Sequence, residues 1–284
     1  MTNAAIIRLE PLNLPQTLGC GQTFRWHPLP GGSWSGPLGD QLVTLTKVGS
    51  GLRAASVPGT PNLKHMIREH LRADDNIRAI QKELSARDPI LANGIPRLRG
   101  LRIVKMDEWE CLLSFALATY ANIPRISRMI DALATRFGTR IQGSTYSFPT
   151  LRQMKKAKPE DLANCGLGYR AKYVHSLSHK LNADELIRLK RLRYEDLRIE
   201  LIRLPGVGDK VADCVALFGF GRLESFPIDV WMERALKRLY RVEGTYRKLA
   251  AFAHDRFGEY AGYAQEYLYY NERARARNGS CLFS

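Results

Sequence analysis

The run Leu204-Pro205-Gly206-Val207-Gly208-Asp209-Lys210, with Asp229 of Pro227-Ile228-Asp229 nineteen positions after the lysine, decides the reading of this chain. Two glycines two positions apart let the backbone turn sharply and approach a ligand with no side chain in the way. A helix that starts after such a turn points its free N–H groups outward with partial positive charge, which suits a phosphate. Lys210 falls just inside that helix, and Asp229 falls at the start of the next one. An ordinary lysine, with a pKa near 10.4, is neutral in only about one molecule in a few thousand at pH 7. Desolvation shifts that balance toward the free amine, a nucleophile able to form a Schiff base. The same letters also fit a plain helix–turn–helix followed by a solvated lysine, so the remaining sequence must arbitrate.

The chain has 284 residues, enough for one large or two modest domains with real cores. Its formal charge of +15, from 43 Lys and Arg against 28 Asp and Glu, favours a polyanionic partner through phosphate contacts and counterion release. No apolar run reaches membrane-spanning length and no signal-like segment opens the chain. The expectation is therefore a soluble protein of an intracellular compartment: cytoplasm or nucleoid in a prokaryote, nucleus in a eukaryote. The five cysteines, Cys20, Cys111, Cys165, Cys214 and Cys281, are odd in number and scattered, which argues against a disulfide framework.

From the N-terminus to about residue 60 the chain reads as sheet. Strands are expected at 5–9, 23–27, 42–47 and 52–57, with turn signals at Pro30-Gly31-Gly32, Gly36-Pro37 and Gly49-Ser50-Gly51. After Pro61 the reading is helical. Helices are expected at 62–72 and 77–84, from Pro89, and from a capping-box-like Asp107-Glu108-Trp109-Glu110. In the last of these Trp109, Leu112, Leu113, Ala116, Leu117 and Tyr120 fall on one face. Asn122 should cap the next helix, which carries Arg125 and Arg128 in its first turns, where basic residues oppose the helix dipole and suggest an external anion. Further helices are expected from Thr150, Pro159, Arg170, Ala183 and Tyr194, the last placing Leu197, Leu201 and Leu204 on one side. The tail Arg273-Ala274-Arg275-Ala276-Arg277 frays or continues the last helix. Asp213 reads as exposed or capping. His175 and His179 have helical metal-ligand spacing without a third ligand in sight.

Four separated segments in order resemble the helix-hairpin-helix (HhH-GPD) glycosylase superfamily and, most closely, its 8-oxoguanine DNA glycosylase branch. They are Gly21-Gln22-Thr23-Phe24-Arg25-Trp26 with Trp34-Ser35-Gly36; Gly166-Leu167-Gly168-Tyr169-Arg170-Ala171-Lys172-Tyr173-Val174; the hairpin continuing Val211-Ala212-Asp213-Cys214; and Tyr260-Ala261-Gly262-Tyr263-Ala264-Gln265. The resemblance implies an α+β fold, with an N-terminal antiparallel, TBP-like sheet domain over 1–97 and a helical HhH-GPD region over 98–284. It implies a bifunctional glycosylase and AP lyase that flips 8-oxoguanine out of duplex DNA, with Lys210 attacking C1′ and Asp229 stabilising the oxocarbenium-like sugar. It further implies a base pocket of Gly21, Cys214, Phe218, Gln265 and Tyr269. DNA contacts are implied at Gly206, Val207, Gly208, Tyr169, Arg170, Asn122, Arg125 and Trp231, with Tyr169 as wedge and Arg170 reaching the orphaned partner base. A glycine carbonyl at Gly21 accepts from the N7–H of oxidised guanine and would face a lone pair in guanine itself.

No cofactor is implied beyond a monovalent cation at the 204–208 hairpin backbone; no side-chain metal site is implied. The clustered cysteines of the iron–sulfur loop in endonuclease III relatives are missing from the sequence. A monomer is the default. The pattern breaks in Thr119-Tyr120-Ala121-Asn122-Ile123-Pro124-Arg125, where Tyr120 stands at the position expected to contact the partner cytosine. Weaker opposite-base discrimination than in eukaryotic relatives is therefore expected; separately, Trp231 stands where a phosphate-binding histidine is usual, and Tyr269 replaces a phenylalanine while keeping its stacking face. Two other readings stay open: a relative acting on another damaged purine, and a non-catalytic helix-hairpin-helix DNA-binding module.

Overall fold

The structure is a computed structural model and describes residues 3–278 and residue 283, with nothing taken from the side chains of 277 and 278. Cys281 lies outside the described residues. A five-stranded antiparallel sheet of order β1-β5-β4-β3-β2 is built from β1 (Asn3–Arg8), β2 (His27–Pro28), β3 (Trp34–Leu38), β4 (Gln41–Val48) and β5 (Gly51–Val57). Alternation sets its buried face: Val43 and Leu45 in β4 and Leu52 and Ala54 in β5 are fully buried or nearly so. The β4–β5 hairpin closes through Gly49-Ser50, with Gly49 at φ +55, the left-handed geometry that matches strand twist.

Of the four expected strands, three are present. The expected strand at 23–27 is not: only His27 pairs, and the strand lies instead at Trp34–Leu38. Gln22 explains the difference. Its side chain donates to the Thr17 and Arg102 carbonyls at 2.7 and 2.8 Å and accepts from Val104 N–H at 2.9 Å, pulling 20–26 off the sheet and into the helical half. Gly36-Pro37, read as a turn, sits in β3. Pro37 is tolerated because β2 pairs only with Trp34 and Ser35, leaving that edge of β3 without a ladder to break.

Of the helices α1 (Leu14–Leu18), α2 (Leu63–His70), α3 (Ile77–Arg87) and α4 (Pro89–Gly94), α2 packs on β1 and β5, while α3 and α4 pack on each other. The helical half follows with α5 (Glu108–Leu117), α6 (Ile123–Phe137), α7 (Leu151–Met154), α8 (Pro159–Asn164), α9 (Ala171–Lys180), α10 (Ala183–Lys190), α11 (Tyr194–Ile202), α12 (Asp209–Phe218), α13 (Val230–Ala235), α14 (Tyr246–Phe257) and α15 (Ala261–Asn278). The arginine tail thus continues the last helix. One apolar core runs from Ile7 and Leu45 in the sheet through Leu113 and Val215 to Tyr263 and Tyr267.

Two details of α5 depart from expectation. Asp107 caps it, accepting from Trp109 and Glu110 N–H at 3.0 Å, but Glu110 does not close a box; its carboxylate lies 3.9 Å from Arg25. Tyr120 is not on the core face. The helix ends at Leu117, and Tyr120 stands beyond it at φ +51 and 93% exposed. No helix among the described residues is long and apolar enough to cross a membrane.

Candidate active site

The hairpin is set by α11 and α12. Leu197, Leu201 and Leu204 are buried together, and the Leu204 carbonyl takes the Val207 N–H at 3.2 Å. Gly206 has φ +77, and a Cβ there would lie 2.6 Å from the Tyr173 ring, so only glycine fits. Gly208 caps α12 with nothing within 4 Å of where a Cβ would sit, which leaves the helix N-terminus open to approach. The carbonyls of Pro205, Gly206 and Val207 accept no hydrogen bond among the described residues.

Lys210 follows in the first turn, half-buried, with Nζ 5.0 Å from the centre of the Phe115 ring. The acids nearest to it in sequence do not neutralise it, because Arg198 pairs with both Asp209 and Asp213. Burial pushes the Cys214 thiol up to about 12, with the Lys210 ammonium pulling it down and the Asp229 carboxylate pushing it further up. Cys214 is therefore a neutral thiol that feels both charges. Asp229 caps α13, its Oδ1 accepting from Trp231 and Met232 N–H at 3.0 Å, while its Oδ2 takes no hydrogen bond among the described residues. The capping role and a free carboxylate oxygen coexist.

A cleft of about 1170 Å³ brings these groups together. Lys210, Asp229, Gly21, Cys214, Phe218, Gln265, Tyr269, Gly206, Gly208, Asn122, Tyr120 and Trp231 all line it. Phe218 stacks on Phe115 at 5.4 Å, and Phe115 meets Phe24 edge-on at 5.5 Å. Gln265, 5% exposed, has its Oε1 buried without any hydrogen-bond partner. A buried, unpaired amide oxygen is costly and marks a place where a ligand donor belongs. Gly21 has φ +111 and is crowded by Arg273 Nη1 and Ile123 Cδ1.

The rim is basic and aromatic. Asn122 Oδ1 caps α6 by accepting from Arg125 N–H at 3.0 Å, and Arg125 and Arg128 are exposed. Tyr169 is 48% exposed, its hydroxyl 3.2 Å from the Thr119 carbonyl, so it is free to meet a ligand rather than fill a core. Arg170 does not reach outward. It is 2% exposed and donates through Nε and Nη2 to the Thr119 carbonyl, an orphan left where α5 ends before Tyr120. Asp213 is neither exposed nor a cap. Fully buried, it accepts from the Tyr194 hydroxyl at 2.8 Å, from Arg198 Nε at 3.1 Å and from the Tyr246 hydroxyl. Tyr246 also receives the Ile228 N–H at 3.3 Å, so this carboxylate ties the hairpin helix to the segment carrying Asp229. His175 and His179 stack on each other at 4.2 Å, and no three metal-ligating side chains cluster among the described residues.

The sequence reading missed Phe24, Phe115, Glu266 and Arg273 as cleft-lining groups. The last two follow Gln265 on α15 at positions that turn toward the same face, a periodicity available in the sequence.

Comparison with known proteins agrees with the geometry. The family described as "8-oxoguanine DNA glycosylase, N-terminal domain" matches residues 5–112, and "HhH-GPD superfamily base excision DNA repair protein" matches residues 115–257. The chain is 31% identical to the N-glycosylase/DNA lyase OGG1 of Arabidopsis thaliana, over 92% of this chain and 77% of that one. Clostridium acetobutylicum 8-oxoguanine glycosylase/lyase, solved with duplex DNA containing cytosine opposite 8-oxoguanine, superposes with a TM-score of 0.89 at 30% identity over 98% of each chain. MBOgg1, solved with a low-affinity DNA ligand, gives 0.91 at 33% identity over 98% of this chain and 100% of that one. Sheet half and hairpin half point the same way, and the chain belongs to the HhH-GPD superfamily of base excision DNA repair proteins, in its 8-oxoguanine DNA glycosylase branch.

Proposed function

We infer that this protein is a bifunctional DNA glycosylase and AP lyase that excises 8-oxoguanine from duplex DNA in base excision repair. The observation that carries this reading is one cleft holding both an amine with no acid partner and a buried amide with an unmet acceptor. A base in a duplex is unreachable at C1′, so the nucleotide must be extruded into such a cleft. Lys210 Nζ, as the free amine, bonds to C1′ while the C1′–N9 bond breaks and its electron pair leaves with the base, which takes up a proton. Asp229 offsets the positive charge that develops on the sugar. Opening of the sugar ring converts the adduct to a Schiff base. The imine acidifies the C2′ hydrogen; its loss expels the 3′ phosphate, and hydrolysis returns the lysine.

Gly21, Cys214, Phe218, Gln265 and Tyr269 would hold the base, with Tyr169 filling the vacated stack; stacking of this kind contributes about 1–3 kcal/mol. The backbone of Gly206, Val207 and Gly208, with Arg125 and Trp231, would grip the phosphates. The three unclaimed hairpin carbonyls, of Pro205, Gly206 and Val207, are hard oxygen donors that would hold a monovalent cation, which would supply positive charge to attract a phosphate. Among the described residues the four cysteines are free and buried, which suits a reducing intracellular compartment.

The test is a duplex with a single 8-oxoguanine opposite cytosine, assayed for base release and strand scission with native protein and Lys210→Gln. Native protein is expected to do both and the variant neither. Release of alkylated purines but not of 8-oxoguanine would move the reading to another lesion. Binding without release by either protein would leave a DNA-binding module.

A further inference from the structure

We propose that Glu266 and Arg273, acting through Cys20, are positioning residues that aim the Gly21 carbonyl at the base and so set which purine is excised. The proposal rests on the reading of the cleft as an 8-oxoguanine pocket. Gln265, Tyr269 and Arg273 recur every four residues along α15 and share a face, with Glu266 beside Gln265. The helix that presents the base-edge amide therefore also carries two groups that reach across the cleft to the segment 20–22.

They hold Cys20 at both ends. The Cys20 thiol is shared between Glu266 Oε2 at 3.3 Å and the Thr17 carbonyl at 3.4 Å, and the Arg273 guanidinium donates to the Cys20 main-chain carbonyl. Arg273 itself lies 5.6 Å from the centre of the Tyr269 ring, so the same cation braces a pocket wall. On the other side of Gly21, Gln22 is locked by the three hydrogen bonds that pull it off the sheet. Gly21 is thus fixed from both neighbours at φ +111, where a Cβ would collide with Arg273 Nη1 and Ile123 Cδ1, while its own carbonyl accepts no hydrogen bond among the described residues. That carbonyl is the group able to separate an N7–H donor from an N7 lone pair. Hydrogen-bond strength falls steeply with misalignment, so a small rotation of this peptide weakens the distinction.

Glu266 also makes the clamp sensitive to pH. Burial pushes its carboxyl up to about 7, opposed by the Cys20 thiol and Arg273 and assisted by Asp229; with Tyr269, whose phenol feels the Glu266 charge, these are the groups that face it from the 20–22 segment, from α15 and from the start of α13. The ionised form is the better acceptor for the thiol and the better partner for Arg273. The clamp is therefore tightest above neutrality and loosens as pH falls through about 7.

The experiment compares single-turnover excision of 8-oxoguanine with cleavage of a pre-formed abasic site, which needs no base reading, for native protein, Glu266→Gln, Arg273→Met, Cys20→Ala and Cys20→Ser. Loss of one charge-assisted hydrogen bond predicts that the ratio of excision to abasic cleavage drops about tenfold in Glu266→Gln, Arg273→Met and Cys20→Ala. Cys20→Ser, which keeps a donor to Glu266, restores most of it. In native protein the ratio falls on acidification through neutrality, and in Glu266→Gln it does not. If native protein fails to excise 8-oxoguanine, the underlying reading of the cleft fails. If native protein excises it and the variants keep its ratio, the proposal is overturned. Parallel loss of both rates overturns it equally, since the residues would then support the fold and not the carbonyl.

Discussion

Replacing Gln265 by methionine is expected to stabilise the free protein while it cripples base excision. Gln265 Oε1 is buried with no partner. An unsatisfied buried acceptor costs about 1–3 kcal/mol. Methionine keeps the length and volume of the side chain and carries no strong polar group, and such volume-conserving swaps cost under about 1.5 kcal/mol. The balance is a gain of about 1 kcal/mol, which in a chain of this size raises Tm by about 2 °C. With DNA bound the sign reverses. The Watson–Crick edge of the extruded base loses its amide, and two buried donors left without partners, at roughly 1.5 kcal/mol each, slow excision by about 100-fold. Thermal melting of the free protein and single-turnover excision on an 8-oxoguanine duplex read the two halves separately, with abasic-site cleavage as the internal reference. A lower Tm together with unchanged excision would refute the reasoning on both counts.

Other predictions follow from the same structure. Burial lowers His70 from 6.5 to about 4, with Nδ1 bonded to the Lys105 carbonyl and Nε2 buried without a partner. Its contribution is complete above the unfolded value of 6.5 and is lost as pH falls toward 4, up to about 3 kcal/mol; denaturant melts at neutral and acid pH should show this slope in native protein and a shallower one in His70→Gln. Gly206→Ala forces a Cβ into the Tyr173 ring at a positive φ, so stability should fall by about 1–3 kcal/mol, and titration with an abasic-site duplex should show weaker binding. With Arg170 turned inward and Tyr120 exposed at the rim, the ratio of excision opposite cytosine to that opposite adenine should be small. Tyr120→Asn should raise that ratio, and no change would remove Tyr120 from partner-base reading. Tyr246→Phe removes the donor between Asp213 and the Ile228 N–H, so kcat should fall several-fold with little change in KM; the reverse pattern would count against this link.

The parts of the site legible in the sequence are those fixed by local spacing. A glycine turn, a lysine in the following helix and an aspartate before the next helix keep their meaning wherever the helices pack, and the cleft brings Lys210 and Asp229 together as that spacing implied. Helix caps at Asn122 and Asp107 were likewise readable, because a cap is satisfied by residues three positions away. What escaped depends on contacts between distant segments. The segment 23–27 has strand-like alternation, but Gln22 binds residues about eighty positions away and takes it off the sheet. Tyr120 fits the apolar period of α5, yet the helix stops three residues earlier. Asp213 became a hub only because α11 and α14 bring two tyrosines and an arginine to it. Arg170 turned inward for a similar reason: it meets the Thr119 carbonyl, some fifty positions away, together with the Tyr169 hydroxyl.

The most direct test of the account is borohydride trapping on a duplex carrying one 8-oxoguanine opposite cytosine, followed by mapping of the cross-linked peptide. The account predicts a covalent adduct at Lys210 with native protein and none with Lys210→Gln. Base release by native protein without an adduct, or an adduct that persists in Lys210→Gln, would contradict it.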